Sequence, residues 1–246
     1  MKMFKALLSA VVVFTAMAAN AQTAVVANAI PQTADDIIAK NIEAMGGAAK
    51  IATLTSVKMT GSMSANGMDI PVTITKMHNK GMRLDIDIMG TSNYQIITPD
   101  KGYMFFPVQQ MTEPKELDAD MVASAQPQLD IQGGSLNNYK EKGTTVELVG
   151  TEKTEGTQAY HIKATLKNGK VNHYWIDTKT NRVLKSSSKA KGPDGNEMDY
   201  ETVYSDYKQN ADGYWFPYTV ATPNGPISFD KIESNIAVDE SIFKNN

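Results

Sequence analysis

The chain predicts an α+β fold that is mainly β, laid out as antiparallel hairpins. Three observations carry this. Met82, Leu84, Ile86 and Ile88 alternate with Arg83, Asp85 and Asp87, so one strand face is apolar and the other solvated. From Tyr160 to Phe243, tyrosine, tryptophan and β-branched residues recur at period two. Asn66-Gly67, Asn168-Gly169 and Asp212-Gly213 punctuate these runs with the dipeptides that tight hairpins favour.

The elements follow in order. Lys2 and Lys5, the apolar run Ala6 to Ala19 and the small-x-small triplet Ala19-Asn20-Ala21 form an export signal, expected to be cut after Ala21. Residues 22–32, with Pro31, read as a flexible lead-in to a single domain over 33–246. Thr33 and Asp36 sit at capping-box spacing and open a helix. Ile38, Ile42 and Met45 give it one apolar stripe, and Gly46-Gly47 ends it. A short helical turn is expected around Ala48–Thr53.

Strands are expected at Val57–Met63, Ile70–Thr75, Met82–Ile88, Tyr94–Thr98 and Gly102–Phe106. The middle differs. Glu113 to Gln128 is rich in Ala, Glu, Asp and Met, with Pro114 placed to start a helix, Leu117, Met121 and Val122 as its apolar stripe and Pro127 to stop it. Leu136–Glu141 reads as a second short helix. Strands resume at Thr145–Val149, Ala159–Leu166, Lys170–Asp177, Arg182–Lys189, Glu197–Tyr207, Tyr214–Thr222 and Pro226–Asn235, with Gly192–Gly195 as one of the connections.

Composition narrows the chemistry. The net charge is −3, and the two lysines of the export signal leave the rest slightly more acidic. That disfavours nucleic acid and anionic membrane surfaces as partners. Cysteine is absent, which excludes disulfides, thiol catalysis, cysteine metal sites and acylation on an N-terminal cysteine. There is no Gly-x-Ser-x-Gly, no phosphate-cradling loop and no His-Glu-x-x-His. His161 and His173 lie on neighbouring strands and could begin a metal site, but no third ligand is evident and two strand residues explain them more simply. Asp85 and Asp87 read as a solvated face, and Asp177–Asn181 as a turn. No catalytic residue, cofactor or metal is assigned. The fourteen methionines suit a surface that accepts variable apolar partners, as well as an ordinary core.

Several segments, taken in order, resemble the LolA-like (outer-membrane lipoprotein-sorting protein) superfamily. They are Thr33–Gly47 leading into Val57–Met63, then Met82–Ile88 with Pro99-Asp100-Lys101-Gly102-Tyr103 and Pro107. Tyr160-His161-Ile162, Tyr174-Trp175-Ile176-Asp177 and Tyr204-Ser205-Asp206-Tyr207 follow. Asp212-Gly213-Tyr214-Trp215-Phe216-Pro217 and Asn235–Phe243 complete the set, which spans nearly all of the chain after the signal. The resemblance implies an open antiparallel half-barrel of roughly ten or eleven strands, its hollow face lidded by the N-terminal helix and the mid-chain helices. It further implies a monomeric periplasmic carrier of lipid, a lipoprotein anchor or another hydrophobic ligand. Acylated proteins and envelope membrane proteins would be its partners. One departure is visible: where the lipoprotein carriers have an Arg-Pro whose arginine helps hold the lid, this chain has Lys80-Gly81, with Arg83 beyond.

Strand alternation picks the residues that would line the hollow: Met59, Met63, Val72, Ile74, Leu84, Ile86 and Ile88 from the first half, and Tyr174, Ile176, Tyr204, Phe216 and Tyr218 from the second. A one-residue slip would exchange the two faces. The rival reading is a non-catalytic interaction, sensor or accessory module whose core is filled by its own side chains.

Overall fold

Thr33 starts the first helix through a reciprocal cap. In the computed structural model, which describes residues 32–65, 67–191 and 197–245, the Thr33 hydroxyl accepts from the Asp36 N–H at 3.1 Å. The Asp36 carboxylate accepts from the Thr33 N–H at 3.0 Å. The expected signal sequence, all of the lead-in but Gln32, Asn66 of the first hairpin turn and the Gly192–Gly195 connection lie outside the described residues. Helix α1 spans Ala34–Ala44, and Gly46 and Gly47 follow it at φ 109° and 86°. Its buried face is Ala34, Ile37, Ile38 and Asn41, so Ile37 joins the stripe while Met45 stays half-buried. Asn41 explains the rotation: its side-chain amide donates to the Asn181 carbonyl at 2.7 Å, which holds that flank of the helix against the sheet. The short helix α2 is Ala48–Ile51.

The first half of the sheet comprises β1 (Ser56–Ala65), β2 (Met68–Met77), β3 (Gly81–Ile88), β4 (Thr91–Ile97), β5 (Gly102–Phe105) and β6 (Lys115–Glu116). After helix α3 (Ala119–Ala125) come β7 (Thr145–Thr154), β8 (Thr157–Thr165), β9 (Val171–Asp177) and β10 (Val183–Lys191). The last three strands are β11 (Glu197–Gln209), β12 (Trp215–Thr222) and β13 (Gly225–Ser234). They form one antiparallel sheet in the order β6-β5-β4-β3-β2-β1-β13-β12-β11-β10-β9-β8-β7. The sheet is not closed: β6 and β7 are its two edges, and it is an open half-barrel. Each half is a run of sequential hairpins, and the halves meet where β1 pairs with β13.

Thirteen strands exceed the roughly ten or eleven expected. The stretch read as one helix from Glu113 divides instead. Lys115–Glu116 pairs with β5 as a two-residue edge, and the Leu117 N–H donates to the Gly102 carbonyl at 2.8 Å, which keeps the chain extended. Asp118 then caps α3 by accepting from the Met121 N–H at 2.8 Å. Leu136–Glu141 is a series of turns rather than a helix, with Gly133, Gly134 and Asn138 at positive φ. Strand β7 runs five residues past Val149 to a hairpin turn at Glu155 and Gly156, φ 47° and 80°.

Two elements cover one face, here called inner. Ile37 and Ile38 of α1, both essentially buried, pack with Leu136 against Ile162 and Ile176. Leu117, Val122 and Leu129 pack against Met82 and Ile97. Between them Ile131 reaches the cluster of Val57, Phe229 and Ile232. The other face carries Arg83, which pairs with Asp85 at 2.8 Å, stacks on Tyr94 and donates to the Ile242 carbonyl at 3.2 Å. That arginine therefore holds the C-terminal segment, not the inner cover.

Candidate functional site

Cross-strand pairing places the candidate lining residues. Met59 faces Ile74, which faces Leu84; Val72 faces Ile86. Met63 faces Ile227 on β13, Ile227 faces Val220 on β12, and Val220 faces Tyr204 on β11. Tyr174 faces both Ile162 and Ser186, and Ile176 faces Tyr160 and Val183. Phe216 and Tyr218 alternate with Val220 along β12, and Ile88 follows Ile86 along β3. Directly opposed residues share a face, so all twelve lie on the inner side.

Their surroundings differ. Ile176 is fully buried beneath α1, and Val72 is 2% exposed. Met59, Met63, Ile74, Leu84, Ile86 and Ile88 are only half-buried, as are Tyr174, Tyr204, Phe216 and Tyr218. Tyr174 shares a hydrogen bond with the Ser135 hydroxyl at 2.5 Å, and Tyr204 with the Ser186 hydroxyl at 3.0 Å. Burial raises the pKa of both phenols, so they stay neutral. Val220 and Ile227 also sit half-buried on this face. Sequence reasoning missed them, although Val220 has the same parity as Tyr218 and could have been found by it.

A cavity of 480 Å³ adjoins the cover, lined among others by Pro127, Asp130, Ser135, Thr144 and Leu166. A second, of 440 Å³, lies between the β1–β2 and β3–β4 hairpin ends and contains Ile88. The remaining eleven candidates line neither. Ile176 and Val72 are closed off by packing, and the other nine are half-buried on the sheet outside these cavities.

Further polar contacts tie the cover down. Asp35, in the first turn of α1, accepts from Tyr139 at 2.5 Å and from Lys140 at 2.6 Å. Gln132 donates to the carbonyls of Ala52 and Leu54, each at 3.0 Å. Lys170, in the β8–β9 turn, reaches Ser124 of α3 at 3.1 Å. The hydrogen bond from Lys140, then that from Tyr139, lowers the Asp35 pKa. A carboxylate lowered on folding stabilises above its unfolded pKa, and that contribution is lost as pH falls through the folded value. Asp35→Asn should therefore speed amide exchange in α1 a few-fold at neutral pH. The difference from wild type should vanish on acidification through the Asp35 titration. Equal exchange at neutral pH would mean that the tie does not hold α1.

On the opposite face, His161 and His173 come together with Nε2 and Nδ1 2.8 Å apart. His161 stacks on Trp175 at 4.5 Å and lies 3.4 Å from Glu152, whose carboxylate also accepts from the Trp175 indole. Burial, then His173, lowers the His161 pKa. Among the described residues no group of three or more His, Asp and Glu side chains is placed to hold a metal. Asp87 accepts from the Gly90 N–H at the hairpin, and Asp177 from the N–H groups of Lys179 and Thr180, both turn-forming roles.

No family model and no curated protein matches the chain. Solved structures do. A DUF1329 family protein from Desulfovibrio piger superposes with a TM-score of 0.51 at 14% identity, over 85% of this chain and 95% of that one. A LolA superfamily protein from Nitrosomonas europaea superposes with a TM-score of 0.50 at 13% identity, over 88% and 98%. At such identity the likeness is one of architecture. A thirteen-stranded antiparallel sheet left open, with α1 and the mid-chain segment over one face, is the LolA-like fold.

Proposed function

We propose that this chain is an exported periplasmic binding protein that holds an apolar ligand against the inner face of its half-barrel. The ligand is a lipid, a lipoprotein anchor or another acyl compound. One observation carries the reading: Met63, Met59, Ile74, Leu84 and Ile86 lie on the inner face of an open sheet, and all five stay half-buried although Ile131 and the two covers pack beside them. Apolar surface left only partly covered gains free energy from a guest that completes its burial. Each methylene buried there is worth about 0.8 kcal/mol, so four give about 3 kcal/mol without any polar contact. The methionines in the row can adapt to chains of different shape. The reading assigns no catalytic step, and it treats 33–246 as a single functional domain.

A second reading has support from Ile176 and Val72, which the chain's own packing already buries. In it the inner face is a finished core, and the protein acts through its surface as an accessory module. Native mass spectrometry after gentle extraction from the periplasm separates the two. The carrier reading expects an acyl lipid at close to one per chain, displaceable by a fluorescent fatty acid. Lipid-free protein that also fails to bind the probe would leave only the accessory reading.

A further inference from the structure

The inner face carries a cation where its neighbours are apolar. Lys76 is two residues beyond Ile74 on β2, so it points to the same side. Its cross-strand partners are Val57 on β1 and Met82 on β3, 1% and 6% exposed. Lys76 itself is half-buried. Its ammonium donates to the Gln128 carbonyl at 3.3 Å, and among the described residues it forms no ion pair. The charged groups nearest along the cover are already engaged. Asp130 is held by Lys142 at 2.6 Å, with His78 at 3.7 Å. Lys58 and Arg83 on the flanking strands alternate to the opposite face.

We propose that Lys76 marks the head-group end of the apolar row and selects an acyl ligand that terminates in an acidic group, a carboxylate or a phosphate. This deepens the carrier reading and rests on it. The geometry is that of an elongated amphiphile. From Met82, opposite Lys76, the row runs along β3 through the half-buried Leu84 and Ile86 to Ile88, about 20 Å at strand rise. A charge set at one end of that distance fixes which way the chain lies. Energetics point the same way. Desolvation lowers the Lys76 pKa to about 8, so its charged form is disfavoured where it stands. A buried anion beside it would relieve that penalty and gain a charge-assisted hydrogen bond. A neutral ester would do neither.

The test uses the full chain purified after export and stripped of lipid, with competition binding at about pH 7. The ligands are palmitic acid, methyl palmitate and palmitoyl lysophosphatidic acid. Wild type and Lys76→Arg should bind the two acids at least about tenfold more tightly than the ester. In Lys76→Met that preference should fall to about twofold or less while ester binding holds. The larger of the two acid affinities identifies the head group. Raising wild type to about pH 9.5 should shrink the preference, because Lys76 loses its proton on the way. The methionine variant should show no such dependence. A Lys76→Met protein that melts normally and keeps the preference overturns the assignment. Wild type that binds acids and ester equally overturns it too but leaves the carrier reading standing, whereas wild type that binds none of the three overturns both.

Discussion

Gly61→Ala is expected to cost at least about 3 kcal/mol, a large share of the stability of a domain this size. Gly61 lies in β1 opposite Phe229 of β13, where the register shifts and Asp230 drops out of the pairing. The two backbones approach so closely there that a Cβ on residue 61 would sit 2.0 Å from the Ser228 carbonyl oxygen and 2.7 Å from the Phe229 Cα. Both contacts are backbone, so no side chain can swing aside to accommodate the methyl group. The β1–β13 pair is also the seam between the two hairpin runs. Pushing these strands apart disturbs the Val57, Phe229 and Ile232 cluster as well as the ladder. Gly150→Ala is the matched control. That strand glycine has open space where its Cβ would stand, so the change should alter stability by no more than about 0.5 kcal/mol. Urea midpoints of the two variants give the comparison. A Gly61→Ala protein as stable as Gly150→Ala would show that β13 does not pass so close to β1.

Features encoded within a few residues were legible in the sequence. The Thr33–Asp36 cap is a four-residue pattern, and the β3 alternation needs only its own strand. Features decided by distant partners were not. Lys115–Glu116 is a strand because β5 lies beside it, although its local composition suits a helix. The end of β7 is polar and mostly exposed, so its extension to Thr154 leaves no apolar alternation to detect. Asn41 is buried because a carbonyl 140 residues away accepts from it. The candidate site divides in the same way. Alternation places Ile176 and Leu84 on one face, but only packing distinguishes the residue under α1 from the one left half-covered. Lys76 shares the parity of Ile74, yet a lysine ending an apolar run reads as the strand meeting solvent. Its meaning depends on Val57 and Met82 beside it and on Gln128 above.

Leu84→Asp should weaken binding of a long-chain fatty-acid probe by about a hundredfold, or roughly 2.7 kcal/mol. Leu84 sits in mid-row, opposed by Ile74 on one side and Gln95 on the other. A carboxylate there must either be covered by the acyl chain or be neutralised, and both outcomes oppose binding. The same change should cost the free protein only about 1 kcal/mol, because the side chain is half-buried and an aspartate can still reach water. That split between a large binding loss and a small stability loss is what an unfinished face requires. A finished core predicts the reverse: a strongly destabilised protein with no binding to lose. Val149→Asp, at an exposed position on β7, controls for added charge and should leave binding unchanged. If Leu84→Asp bound the probe as wild type does, the ligand would not lie along β2 and β3. If it unfolded while wild type bound nothing, the inner face would be a core and the accessory reading would follow.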